Sequence, residues 1–333
     1  AGRHVARLVA AQRQGLTALQ HGRWRIAALR RRVGQIQAGE MRRDLAQVVV
    51  AQRIQQRSHA HVVAAPGAKV HQLVVEVAGG LAGDARKVAR VGGAALLAVA
   101  GADIVLVAVP VAATEATLKA IKHLVTPQML IMDVGSTKAD VVQAARRALR
   151  DQVGSFVPAH PITGREVAGV EHADAELYYG RQVILTPTER TLTAQLLQAQ
   201  EVWQAIGCRV SSMSPESHDS AFAAVSHLPH LLAFAMMNTL TGQPEGDDYL
   251  SLAGPGFRDF TRIAAGEPKM WRDIMLANRD ELLAQSKLFQ QALAQLEQAI
   301  SSGNAQALED MLTLASETRA HWRMGAQRTS KQP

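Results

Sequence analysis

The sequence predicts an α/β protein, with a Rossmann-like parallel sheet that is atypical or incomplete at its N-terminal end and an all-helical domain after it. Three observations predict it. Between residues 101 and 213, short apolar runs alternate with helical spacings, the pattern of parallel strands joined by right-handed crossovers. From residue 214 to about 325 the periodicity is helical almost throughout. Residues 1–100 follow neither rule. They hold one aromatic residue, Trp24, one proline, Pro66, and no Phe or Tyr, so the bulky side chains that fix a core are missing.

Residues 102–110 read Ala-Asp-Ile-Val-Leu-Val-Ala-Val-Pro, a nearly continuous apolar run closed by proline, as expected of a strand buried on both faces. A helix is predicted over 114–124, a second buried strand over 129–134, a helix over 137–150 and a short strand over 155–158. A strand at 183–187, a helix at 191–206 and a strand at 208–213 continue the alternation. In the helical part, one helix covers 221–240, another surrounds 271–278, and the last covers 305–319. Between the last two, a further helix places Leu282, Phe289, Leu293, Leu296 and Ile300 on one face. That stripe suits an intramolecular core and a dimer interface equally well. In the first hundred residues, 19–33 has the pattern of a basic helix and 73–77 that of a strand.

A length of 333 residues is enough for two domains with sizeable cores. No run of 18 uncharged apolar residues occurs, so no membrane span is expected. The Arg-rich opening lacks the apolar stretch of a signal peptide. A single cysteine, Cys208, excludes an internal disulfide and suits a reducing compartment, so the expected location is cytoplasmic. The charge is uneven: residues 1–100 carry 14 Arg and 2 Lys against 4 acids, and the remainder is net acidic. Such a split can mark a nucleic-acid-binding arm. An excess of Arg, Ala, Gly and Val with little Lys is also what GC-rich DNA yields when read out of frame. The expectation is therefore a frame-shifted basic segment with no nucleic-acid partner.

Three segments carry candidate chemistry. Asp133-Val134-Gly135-Ser136-Thr137-Lys138 follows a predicted strand at the sheet edge where ligands bind in open α/β folds. Ser136 could bond a cofactor amide or orient a base there, or the segment is a plain turn and helix cap. Pro158-Ala159-His160-Pro161-Ile162-Thr163-Gly164-Arg165-Glu166 places a histidine on a stiff, exposed turn, where an imidazole can accept a proton from a substrate hydroxyl. Ser226-His227-Leu228-Pro229-His230 and Gly256-Phe257-Arg258-Asp259-Phe260-Thr261-Arg262 offer histidines and arginines able to grip an anion, or in Arg258–Asp259 a local ion pair. No metal site is expected, since His218, His227 and His230 lack a cysteine or a His-Glu-x-x-His spacing beside them.

Together with Val183-Ile184-Leu185-Thr186-Pro187 and Met270-Trp271-Arg272-Asp273-Ile274, these motifs resemble the prephenate/arogenate dehydrogenase family in order and spacing, over about residues 101–319. The resemblance implies NAD- or NADP-dependent oxidative decarboxylation of prephenate or arogenate in tyrosine biosynthesis. It implies a Rossmann domain followed by an all-helical dimerisation domain, and hence a homodimer. His160 and Ser136 match the family's catalytic positions. Arg262, His230, Ser226, Thr163, Glu166, Trp271 and Asp219 match substrate-site positions. Val109, Pro110, Asp133, Gly135 and Ser136 match the cofactor cleft.

One expected feature is missing. A Gly-x-Gly-x-x-Gly turn should open such a domain, so that backbone amides reach the pyrophosphate. Ala78-Gly79-Gly80-Leu81-Ala82-Gly83 is the nearest approach, with alanine at the first position and too few residues before Asp103 for the intervening strands. The alternative reading is therefore a catalytically impaired remnant of such an enzyme.

Overall fold

The computed structural model describes residues 102–164 and 176–323, together with Val99, Asp174 and the backbone of two earlier strands. Five strands form the first sheet in sequence order: β1 His61–Ala65, β2 Gln72–Glu76, β3 Ile104–Val107, β4 Leu130–Asp133 and β5 Phe156–Val157. β1 runs antiparallel to β2, and the rest are parallel. The strand expected at 73–77 is thus present one residue earlier, with Gln72 opposite Ile104 and Val75 opposite Val107. The basic helix expected at 19–33 and the Gly79–Gly83 cluster lie outside the described residues.

Among the described residues the crossovers are α1 Thr114–Ile121, preceded by the 3-10 turn Val111–Ala113, and α2 Ala139–Leu149. They cover one face of the sheet, where Val105, Val107 and Ile131 meet Leu118, Ile121, Val141 and Ala145. Ile104, Leu106, Leu130 and Met132 point the other way, into a second cluster with Tyr178, Ala199 and Trp203. Burial on both faces is why these strands read as unbroken apolar runs rather than alternating ones.

A second sheet supplies that other layer: β6 Ala159–Pro161, β7 Gln182–Leu185 and β8 Arg209–Ser212. β6 is antiparallel to β7, and β7 is parallel to β8 through α3 Thr193–Ala205. Here the structure departs from the expectation for His160. It is not on an exposed turn but buried in β6, opposite Ile184. Pro158 has no N–H to continue the first ladder. The chain changes sheets there, and Thr186 N donates to the Pro158 carbonyl at 2.9 Å.

The helical part opens with a rod made of α4 Pro215–Phe222, a π-helical turn Ala223–His227 and α5 Leu228–Thr241. Ser214 caps it, accepting from Ser217 N at 3.0 Å, with Pro215 in the first turn. Pro229 cannot donate back into the preceding turn, and the widened π turn accommodates it there. The rod is long and apolar enough to cross a membrane by length and composition, yet its N-terminal half carries His218, Asp219 and His227, all buried against protein. The remaining helices are α6 Gly246–Ser251, α7 Pro255–Thr261, α8 Pro268–Ala277, α9 Arg279–Ser301 and α10 Ala305–His321. On α9, Leu282 is buried, but Phe289, Leu293 and Ile300 are 39%, 42% and 63% exposed, so most of the apolar stripe is not used as an intramolecular core.

Candidate active site

The loop from β4 into α2 is built around a buried carboxylate. Asp133 Oδ2 accepts from Gly135 N at 2.8 Å and Oδ1 from Ala159 N at 3.0 Å, and the ammonium of Lys138 closes on Oδ2. Lys138 Nζ also donates to the Ala159 carbonyl at 2.9 Å. One ion pair thereby ties the end of β4 to the start of β6. Gly135 is required by close approach: a Cβ there would lie 2.9 Å from Asp133 Oδ2 and 3.1 Å from Val111 Cγ1. Ser136 sits half-buried at the crest of this loop.

The first N–H groups of α2 have no cap from their own segment. Asp219, on α4, supplies it from 80 residues away: Oδ1 accepts from Lys138 N and Oδ2 from Ala139 N, each at 2.8 Å. A carboxylate at a helix N-terminus also meets the favourable end of the helix dipole. Asp219 Oδ1 lies 2.7 Å from His218 Nδ1, and His218 Nε2 lies 2.8 Å from His160 Nδ1. Phe222 walls the group, stacked on His218 at 4.4 Å between centroids and tilted against His160 at 4.8 Å. Burial pushes the His160 imidazole well below the usual histidine pKa, and positive charge on His218, Lys138 or His227 pushes the same way. The ring is therefore neutral near pH 7.

A second cluster adjoins the first. Asn278 Nδ2 donates to the Asp219 carbonyl at 2.7 Å and to His227 Nδ1 at 3.0 Å. His230 Nδ1 donates to the Ser226 carbonyl at 2.8 Å, and its ring stacks on Trp271 with centroids 3.5 Å apart. His227 meets the same indole edge-on at 6.3 Å. The 3-10 turn Arg262–Ala265 packs against α5, which carries His230, and Arg262 itself is exposed.

The structure thus brings His230, Ser226 and Trp271 together and sets the Arg262 turn beside them. His160 stands with a different set, His218, Asp219 and Phe222. Val109 is half-buried and Pro110 exposed at the carboxyl end of β3, neighbouring the Gly135–Ser136 loop across adjacent parallel strands. Thr163 is half-buried, donating to the Leu177 carbonyl at 3.3 Å. Glu166 lies outside the described residues. Two expectations change. Asp133 does not line the cleft with its carboxylate, which is turned inward, and Asp219 likewise spends its carboxylate on protein donors rather than facing a substrate. Arg258 and Asp259 form the local ion pair, at 3.2 Å. Sequence reasoning gave no role to Lys138, Asn278 or Phe222 and considered His218 only as a metal ligand. The adjacent His218–Asp219 pair just inside a capped helix start was the available signal.

Comparison with known proteins gives a consistent result. The family described as prephenate dehydrogenase, nucleotide-binding domain, matches residues 81–212, and prephenate dehydrogenase, dimerization domain, matches residues 214–314. The first match begins some twenty residues before the point where the motifs become readable. Cyclohexadienyl dehydrogenase of Zymomonas mobilis is 36% identical over 207 residues, covering 62% of this chain and 70% of that protein. Prephenate dehydrogenase of Bacillus subtilis is 37% identical over 185 residues, covering 55% of this chain and 49% of that one, so the match spans about half of its length. The crystal structure of prephenate dehydrogenase from Aquifex aeolicus with hydroxyphenyl propionate and NAD+ superimposes with a TM-score of 0.62 at 37% identity, over 66% of this chain and 76% of that one.

Proposed function

Because the chain belongs to the prephenate dehydrogenase family, we propose that it oxidises prephenate, or its amino counterpart arogenate, with NAD, releasing carbon dioxide and leaving a phenol on the route to tyrosine. The observation that carries this reading is His160: a neutral, buried imidazole with Nδ1 held by His218 and Nε2 left for a substrate.

The residues present fit a nicotinamide. Gly135 allows close backbone approach, and half-buried Val109, Val111 and Val134 offer a flat apolar ring a matching surface at the carboxyl ends of β3 and β4. Pro110 and Ser136 flank that surface, and Ser136 can bond a carboxamide or a hydroxyl. NAD, when bound, supplies the hydride acceptor. The chain's own part is to hold the ring hydroxyl against His160 Nε2, which takes its proton as hydride leaves the same carbon. The bond to the ring carboxylate then breaks, its electron pair completes the aromatic ring, carbon dioxide departs, and the phenolate oxygen takes the proton back from His160 to give the phenol. General-base assistance of this kind contributes about 10²–10⁴-fold. Arg262 binds a carboxylate in two-pronged fashion, and His230 on Trp271, with Ser226 and Thr163, shapes the remaining pocket. Glu166 closes it.

The homologous dimerisation domain and the uncovered stripe of α9 favour a homodimer, with a small molecule as the other partner, in the cytoplasm.

The test is titration with NAD or NADP followed by assay of prephenate and arogenate, reading reduced cofactor and carbon dioxide together. Cofactor binding without turnover of either substrate would refute the proposal. Normal affinity and turnover would refute the alternative of an impaired remnant.

A further inference from the structure

We propose that His218, held by Asp219, is a positioning residue that sets the tautomer of His160, placing the proton on Nδ1 and the free lone pair on Nε2. This rests on the reading of His160 as the base. With both imidazoles neutral, the hydrogen bonds admit one consistent direction. Asp219 can only accept, and its two oxygens already take two backbone N–H groups, from Lys138 and Ala139. Its third contact, at 2.7 Å to His218 Nδ1, therefore requires a proton on that nitrogen. A neutral His218 then has no proton on Nε2, which must accept. Its hydrogen-bond partner is His160 Nδ1 at 2.8 Å, which must donate. With Nδ1 protonated, a neutral His160 has its lone pair on Nε2.

The arrangement is a carboxylate, an imidazole and a second imidazole in series, so the outer ring is oriented by the inner one. Protonating His218 would reverse the donor across the 2.8 Å contact and move the His160 proton to Nε2, where no base would remain. Among the described residues, the charged or titratable groups facing this pair are Asp219 and His227 from the helical rod and Lys138 with Asp133 from the β4–α2 loop. Phe222 supplies an apolar wall that admits no competing donor.

The decisive measurement is ¹⁵N NMR of the full chain with labelled histidine, His160 being assigned from the spectrum of His160→Gln. A protonated Nδ1 and bare Nε2 on His160, with a protonated Nδ1 on His218, is the expected pattern. A proton on His160 Nε2 overturns the proposal, whatever the activity. In kinetics, His218→Gln places a carbonyl where Nε2 stood and should hold kcat within about tenfold, whereas His218→Leu removes the acceptor and should lower kcat about 10²–10⁴-fold with KM little changed. Equal losses in both variants would refute a role through the tautomer. Should His218→Leu fail to fold, the NMR pattern in wild type and in His218→Gln still decides. If prephenate is not turned over at all, the NMR result stands separately, so failure of the functional reading is distinguishable from failure of this one.

Discussion

Lys138 and Asp133 form an ion pair whose side chains are 0% and 3% exposed, and each also bonds backbone of the neighbouring segments. A buried pair adds little net stability over a well-packed apolar pair, but removing one partner strands the other charge. Lys138→Met should therefore cost about 3–5 kcal/mol in urea unfolding. A loss below about 1 kcal/mol would show that Asp133 is satisfied without it.

His227 gives a pH prediction. Burial pushes its pKa down to about 4, and its Nδ1 accepts from Asn278, which needs an unprotonated nitrogen. The unfolded chain binds this proton below about 6.5, the folded chain only near the lowered value. In that window the unfolded state holds more protons, so stability is lost as the pH falls. Melting temperature should decline from about pH 6.5 towards 4, and His227→Gln should flatten part of that slope. An unchanged slope in the variant would refute the assignment.

Gly135→Ala tests the β4–α2 loop. The added methyl must displace the Asp133 carboxylate or Val111, and overpacking of this kind costs about 1–3 kcal/mol. NAD affinity measured by fluorescence should fall with it, since Val111 and Gly135 belong to the proposed nicotinamide surface. Undiminished affinity would place the cofactor elsewhere.

The exposed stripe on α9 bears on assembly. Phe289→Glu with Leu293→Glu changes two residues that touch little in one chain, so folding should survive. Light scattering should show a monomer for the variant and a dimer for the parent. A dimer in both would remove this face from the interface.

Much of this fold was legible. Residues 102–110 and 129–134 announced strands because burial on both faces leaves no polar position, and both formed within a few residues of the expected ends. His160 was misplaced because its environment is made in part by β7, where its partner Ile184 lies 24 residues later, a pairing to which local spacing is blind. Asp219 was placed among the substrate groups, since a cap donated across 80 residues leaves no local trace. The motif that contained Lys138 was read for its serine, while the buried lysine holds the loop. The α9 stripe shows the reverse limit: periodicity identifies an apolar face, not whose surface covers it.

The cap that Asp219 places on α2 has a mechanical consequence. Its two bonds to Lys138 and Ala139, and the contact through His218 to β6, fasten the helical rod to the loop and strand of the α/β layer at the proposed point of chemistry. Pivoting one layer away from the other would break all three contacts together and strip the buried Asp219 carboxylate of both its backbone donors. This seam behaves as a rivet rather than a hinge: the helical rod and the α/β layer share one rigid joint at the residues that would carry the chemistry.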